Sequence, residues 1–141
     1  ITRLQNMGTP DYLISAACQL VVAQRLARKN CKDCKVPDDD VNPKVLQDLG
    51  FSAEQATRVK AIKGKGCEKC KDTGYKGRQG IYEILVVSKP LKEAILRKAT
   101  TPELREIAIK EGFQTMQDMG RRLIAAGELN FREYERVLSG D

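Results

Sequence analysis

Cys31-Lys32-Asp33-Cys34 and Cys67-Glu68-Lys69-Cys70 are two C-x2-C knuckles with 32 residues between them. Each knuckle holds two sulfurs on a tight turn, so the pair can grip one cation from two sides. A closed tetrahedral set of four thiolates suits zinc, which needs no redox partner; iron is the competing metal for the same cage. Two disulfides or a thioredoxin-like redox pair are the other readings of the spacing, and a reducing compartment disfavours both. The 141 residues contain no His. That excludes mixed Cys/His ligand sets, His-based catalytic triads, HExxH metalloproteases and Cys2His2 fingers. Four protein ligands leave no open position for water, so the predicted site is structural.

Four thiolates and one zinc sum to −2. The stretch from Lys60 to Arg78 supplies seven basic residues (Lys60, Lys63, Lys65, Lys69, Lys71, Lys76, Arg78) against Glu68 and Asp72. These cations offset the site's charge and favour thiolate formation. The same lysines also allow a nucleic-acid reading. The chain carries 25 Lys+Arg against 19 Asp+Glu, a net charge of +6. All of that excess lies in residues 1–80, since residues 81–141 hold ten charges of each sign. Cys18, between Ala17 and Gln19, reads as a small core residue.

A spacing of 32 residues exceeds that of a simple zinc ribbon, so folded structure is expected between the knuckles. Asn42-Pro43 opens a short helix closed by Gly50, and Ser52 with Gln55 forms a capping box for a second. Outward from there, Ile1–Met7 reads as the tail of a helix with Gly8 as its C-cap. Thr9-Pro10 then starts a buried helix running to about Lys29. Its uncharged run, Tyr12 to Gln24, is too short to span a membrane. Residues 61–65 and 80–87 read as short strands, with Gly74, Gly77 and Gly80 forming turns around the metal. Helices are expected from Ser88 to about Lys98, from Thr101-Pro102 to Gly112, from Thr115 to near Gly127, and from Asn130-Glu133 to Leu138. Leu104, Ile107, Ala108, Met116, Met119, Leu123 and Ile124 recur at helical spacing as core stripes.

The fold class is therefore mainly α with a small β element: a bundle-like helical C-terminal region beside a tetracysteine subdomain. Domain bounds are expected at 1–30, 31–80 and 81–141. No G-x-x-x-x-G-K-[ST] loop occurs, and no catalytic or nucleotide-contacting residue is assigned. Loss of one cysteine ligand is expected to unfold 31–80 while the helices of 88–138 stay partly formed.

With these residues in hand, the chain resembles the C-terminal end of the type II secretion and type IV pilus assembly ATPases. The matching text is Ile1-Thr2-Arg3-Leu4 to Met7-Gly8, Leu13-Ile14-Ser15, Ala23-Gln24-Arg25-Leu26 leading into Cys31-x-x-Cys34, and Gly66-Cys67-x-x-Cys70. It continues with Thr73-Gly74-Tyr75-Lys76-Gly77-Arg78-x-Gly80-Ile81-Tyr82-Glu83. The resemblance implies a fragment of a RecA-like, ring-forming hexameric ATPase. The helix 10–29 would be its last core helix, Cys31, Cys34, Cys67 and Cys70 its zinc ligands, and 81–141 its helical extension. ATP and Mg2+ would bind only in the longer parent. It further implies a cytoplasmic location, peripheral at the inner membrane. The partners would be other subunits of the ring and the platform and adaptor proteins of the machine, with no nucleic acid and no membrane span. The alternative from another class is a zinc-ribbon module for RNA or DNA. The zinc module of DnaJ-type chaperones is a third reading, weakened because Lys35-Val36-Pro37 follows Cys34 where that module has glycines.

Overall fold

The computed structural model describes residues 1–139, so the last two residues of the expected 81–141 extension lie outside it. Among the described residues, eight helices accompany two two-stranded sheets. The order is α1 (Thr2–Asn6), α2 (Asp11–Ala17), β1 (Leu20–Asn30), β2 (Lys35–Pro37), α3 (Pro43–Asp48), α4 (Ala53–Arg58) and β3 (Ile62–Gly64). Then come β4 (Tyr75–Val86), α5 (Lys89–Leu96), α6 (Thr101–Lys110), α7 (Met116–Ala125) and α8 (Phe131–Leu138).

The predicted helix from residue 10 to 29 is corrected. It stops at Ala17, Cys18 takes an extended conformation, and Leu20–Asn30 forms the strand β1, which pairs with β4. The run from residue 10 is apolar around most of a helix's circumference up to Ala23, which made it read as a buried helix. Its Leu20-Val21-Val22 stretch suits a strand, because β-branched residues pack well on a pleated surface. A partner strand far along the sequence decides between the two. β4 is also longer than expected. It begins at Tyr75, so the stretch read as turns up to Gly80 is largely strand, with Gly77 at φ +83° inside it. A third strand, β2, was not expected at all. It pairs antiparallel with β3 in the register Lys35↔Gly64, Val36↔Lys63, Pro37↔Ile62.

Helix starts follow local signals. Asn42 caps α3, and Ser52 with Gln55 closes a full capping box on α4. Ser88 caps α5, Thr100 with Glu103 forms a box on α6, and Asn130 caps α8. Such a cap contributes about 1 kcal/mol. Gly112 and Gly127 take left-handed conformations after α6 and α7, as helix stops do.

The chain divides into two compact units, each built from two separated segments. The first holds Ile1–Ala23 and Glu83–Thr115; the second holds residues 24–82 and 116–139. In the first, α2 packs on α5 and α5 on α6 around Ile14, Val87, Leu91, Ala94, Ile95, Leu104 and Ala108. Cys18 lies against this cluster as a partly buried side chain, in keeping with a core role. Burying a residue such as Leu91 or Ile95 contributes about 1.5–3 kcal/mol. In the second, α7 packs on α8, and Ile81, Ile124, Leu129 and Leu138 are fully buried. Among the described residues, no helix is long and apolar enough to cross a membrane.

Candidate metal centre

The second unit brings Cys31, Cys34, Cys67 and Cys70 together, with all four sulfurs within 4.8 Å of one another. Cys31 follows the end of β1, and Cys34 precedes β2. Cys67 caps and Cys70 ends a short 3-10 turn, Glu68–Cys70. The β2–β3 pairing is what folds residues 38–61 out of the way and lays one knuckle on the other. Lys65 N–H bonds to the Cys34 carbonyl at 2.9 Å and Cys31 N–H to the Gly74 carbonyl at 2.9 Å, joining the two knuckles backbone to backbone.

The sulfur separations are 3.7 Å for Cys31–Cys67, 3.9 Å for Cys34–Cys70 and 3.6 Å for Cys67–Cys70. A tetrahedron with metal–sulfur bonds of about 2.3 Å has edges of about 3.8 Å, so the donor set fits a tetrathiolate metal. A disulfide needs about 2.05 Å, and all five cysteines are free thiols. Cys31 and Cys70 are buried, Cys34 and Cys67 partly so.

Backbone amides point at the sulfurs. Gly66 N–H donates to Cys34 Sγ at 3.3 Å, and Cys67 and Gly74 N–H each donate to Cys70 Sγ at 3.2 Å. Burial lifts the Cys70 thiol, but the Cys67 and Gly74 amides, with the Cys67 and Cys34 thiols, bring it down to about 6. For Cys34, burial prevails over the Gly66 amide, and the thiols of Cys31, Cys67 and Cys70 add to the rise, up to about 12. At Cys67 the Cys70 amide pulls downward, yet burial and the thiols of Cys70 and Cys31 leave it raised. Metal uptake at such a site releases protons and strengthens as pH rises.

Two glycines let the knuckles meet. A Cβ on Gly64 would lie 1.9 Å from the Gly74 carbonyl oxygen, and Gly74 itself has φ +80°. Gly64→Ala should therefore force β3 away from the second knuckle. The expected cost is about 3 kcal/mol, at the upper end of overpacking effects. The check is chelator competition: the variant should lose metal at lower chelator concentration than the parent chain.

The cations are shared out more widely than the thiolate-balance argument requires. Lys69 pairs with Asp33 at 3.5 Å and Lys63 with Asp38 at 4.0 Å, while Lys29 and Lys35 both reach Glu128. The structure gives two residues roles that sequence reasoning missed. Asn30, 3% exposed, donates its N–H to the Glu128 carbonyl and its Nδ2 to the carbonyls of Ile62 and Gly127. Glu133, completely buried, accepts from Arg28 N–H at 2.6 Å and pairs with the guanidinium groups of Arg28 and Arg136. The Arg28 guanidinium lies 4.1 Å over the Tyr75 ring. An Asn directly before Cys31 and a Glu at the third position of a capped helix are the faint signals each left in the sequence.

A family model described as type II/IV secretion system protein matches residues 1–136. The chain is 42% identical over 120 residues to the type IV pilus assembly ATPase PilB of Thermus thermophilus, covering 85% of this chain and 13% of that protein. It is 36% identical over 137 residues to the type IV pilus assembly ATPase PilB of Pseudomonas aeruginosa, covering 97% and 24%. It is 33% identical over 142 residues to the type II secretion system protein E of Aeromonas hydrophila, covering 100% and 27%. The chain thus spans between 13% and 27% of the length of these three relatives.

Proposed function

The chain belongs to the type II/IV secretion system protein family, and from that membership we propose that it is the zinc-stapled C-terminal segment of a secretion or pilus assembly ATPase. The observation that carries this is a set of four thiols all within 4.8 Å of one another, three of the separations being 3.6–3.9 Å, inside a chain of that family. Cys31, Cys34, Cys67 and Cys70 would hold one Zn2+. Bound zinc supplies four strong cross-links and no redox chemistry. The chain's own amides at Gly66, Cys67 and Gly74 orient the sulfurs and favour their ionised form.

In this reading residues 1–30 end a RecA-like ATPase domain, 31–80 form the zinc subdomain and 81–141 the helical extension. ATP and Mg2+ bind elsewhere in the longer protein. That protein forms a hexameric ring in the cytoplasm and docks on an inner-membrane platform, where hydrolysis powers pilus or pseudopilus extension. The segment's own role is structural.

The test has three readouts on the purified chain. Elemental analysis should give one zinc, and no iron, per chain. Calorimetry should give no ATP binding, since the chain lacks a P-loop. Binding to duplex DNA should be weak and lost at physiological salt, with affinity falling by about 0.9 log unit per log unit of salt for each phosphate contact. Tight ATP binding would overturn the placement of the ATPase boundary. A submicromolar DNA complex at physiological salt, abolished by changing Lys63, Lys65, Lys69, Lys71 and Lys76 to Gln with zinc retained, would favour the nucleic-acid module instead.

A further inference from the structure

The residues that flank the cysteine cluster are both hydrogen-bonded to the same turn. Asn30 immediately precedes Cys31. Its N–H reaches the Glu128 carbonyl at 2.9 Å, and its Nδ2 reaches the carbonyls of Gly127 and Ile62, each at 3.1 Å. Tyr75 immediately follows Gly74, whose N–H bonds to Cys70 Sγ. Its hydroxyl accepts from Asn130 Nδ2 at 3.0 Å. Gly127, Glu128 and Asn130 form the α7–α8 connection, with Asn130 serving as the cap of α8. One knuckle's entry and the other's exit thus hold one helical hairpin from two sides.

The Asn30 amide orientation follows from its surroundings, since only its nitrogen can face two carbonyl oxygens. Its Oδ1 is buried without a hydrogen-bond partner among the described residues, which carries a desolvation cost. The position tolerates that cost for two donor bonds that tie β3 and the α7–α8 turn to the residue before Cys31. The ion pairs on the turn itself are weaker. The Lys29–Glu128 and Lys35–Glu128 pairs are 3.6 and 3.4 Å long and partly exposed, and pairs of that kind add little.

We infer that metal occupancy of the four-cysteine site sets the order of the α7–α8 turn, and that Asn30 and Tyr75 are the positioning residues that carry the effect. The inference rests on the metal reading above. With the cysteines held by a cation, residues 30 and 75 are fixed and the turn is held. When the cation leaves, both anchors relax and the turn loses its buried hydrogen bonds. The α5–α6 pair lies in the other compact unit and serves as an internal control.

Hydrogen exchange on the whole chain tests this, with and without chelator, with metal content measured on the same samples. Amides of residues 127–138 should exchange about tenfold or more faster after metal removal, while those of 89–110 change little. Asn30→Ser and Tyr75→Phe should each retain one metal per chain, yet with the metal bound show amides of the 127–130 turn exchanging about threefold or more faster than in the parent chain. Tyr75→Phe keeps the ring under Arg28, so it serves if Asn30→Ser does not fold. Unchanged protection of 127–138 in wild-type protein whose metal is demonstrably gone would overturn the inference and leave the metal site standing. Equal loosening of 89–110 would overturn it as well. Parent-like protection of the turn in both metal-loaded variants would remove the assigned route. A chain that takes up no metal at all overturns the metal reading itself, which the elemental assay reports separately.

Discussion

Cys67→Ser is expected to abolish metal binding and unfold the second compact unit. The apparent binding free energy of structural zinc in small zinc peptides is about 10–16 kcal/mol and is largely folding free energy. A whole domain is stable by only about 5–15 kcal/mol, so the loss of one ligand exceeds what the unit can absorb. From the sequence, the helices of 88–138 are expected to stay partly formed after such a change. The structure divides that block. α5 and α6 pack with α2, whereas α7 and α8 belong to the unit that holds the cysteines. The expected result is therefore partial loss of helical signal, with α7 and α8 lost and α5 and α6 retained. Limited proteolysis with peptide mapping checks it, cleavage appearing in 24–82 and 116–139 first. Thermal unfolding that is identical with and without chelator would contradict the expectation, as would a Cys67→Ser chain that still binds one metal.

Glu133→Gln is expected to cost about 3 kcal/mol at neutral pH and to remove a pH dependence. Burial alone would raise this carboxyl group's pKa. The guanidinium groups of Arg136 and Arg28, with the Arg28 amide, outweigh that and hold it at about 2, below the ordinary 4.5. The unfolded chain therefore takes up this proton at a higher pH than the folded one. The stabilisation is complete above the ordinary carboxylate range, and it declines as pH falls from about 5 towards 2. Each pKa unit corresponds to about 1.4 kcal/mol, which sets the size of the effect. Removing one partner of a buried ion pair has a cost of the same order. Arg28 and Arg136 are about half exposed, so both can turn to water in the variant, which keeps the cost at the lower end of that range. Denaturant unfolding at pH 7 and at several pH values down to 2.5 reads both quantities. A Glu133→Gln chain as stable as the parent at pH 7, or one with the same slope between pH 5 and 2.5, would contradict this account.

Several features were legible because they rest on contacts a few residues apart. The caps at Asn42, Ser52, Ser88 and Asn130 are hydrogen bonds across three residues. The C-x2-C spacing alone implied that each knuckle presents two sulfurs to one point, and the two knuckles do converge. The family resemblance was legible for the same reason, being carried by short contiguous motifs.

Other features depended on partners that no local window contains. β1 was read as helix because the chain up to Ala23 is apolar around most of a helix's circumference. Its pairing with β4 is the long-range term that makes it a strand. β2 has three residues and little pattern, and it exists because Ile62–Gly64 lies beside it. Glu133 looked like an ordinary helix-capping residue. Its backbone N–H does take the Asn130 cap, but its carboxylate turns to Arg28, 105 positions earlier. Asn30 gave no signal beyond its place before Cys31, and its role needs Gly127, 97 positions away. From the sequence alone come the four thiols, the helix starts and the family. Tertiary structure decided which segments became strand, which helices share a unit with the cysteine cluster, and which polar side chains were worth burying. Chain entropy and propensity act over a few residues, whereas desolvation and strand pairing depend on whatever the fold brings alongside.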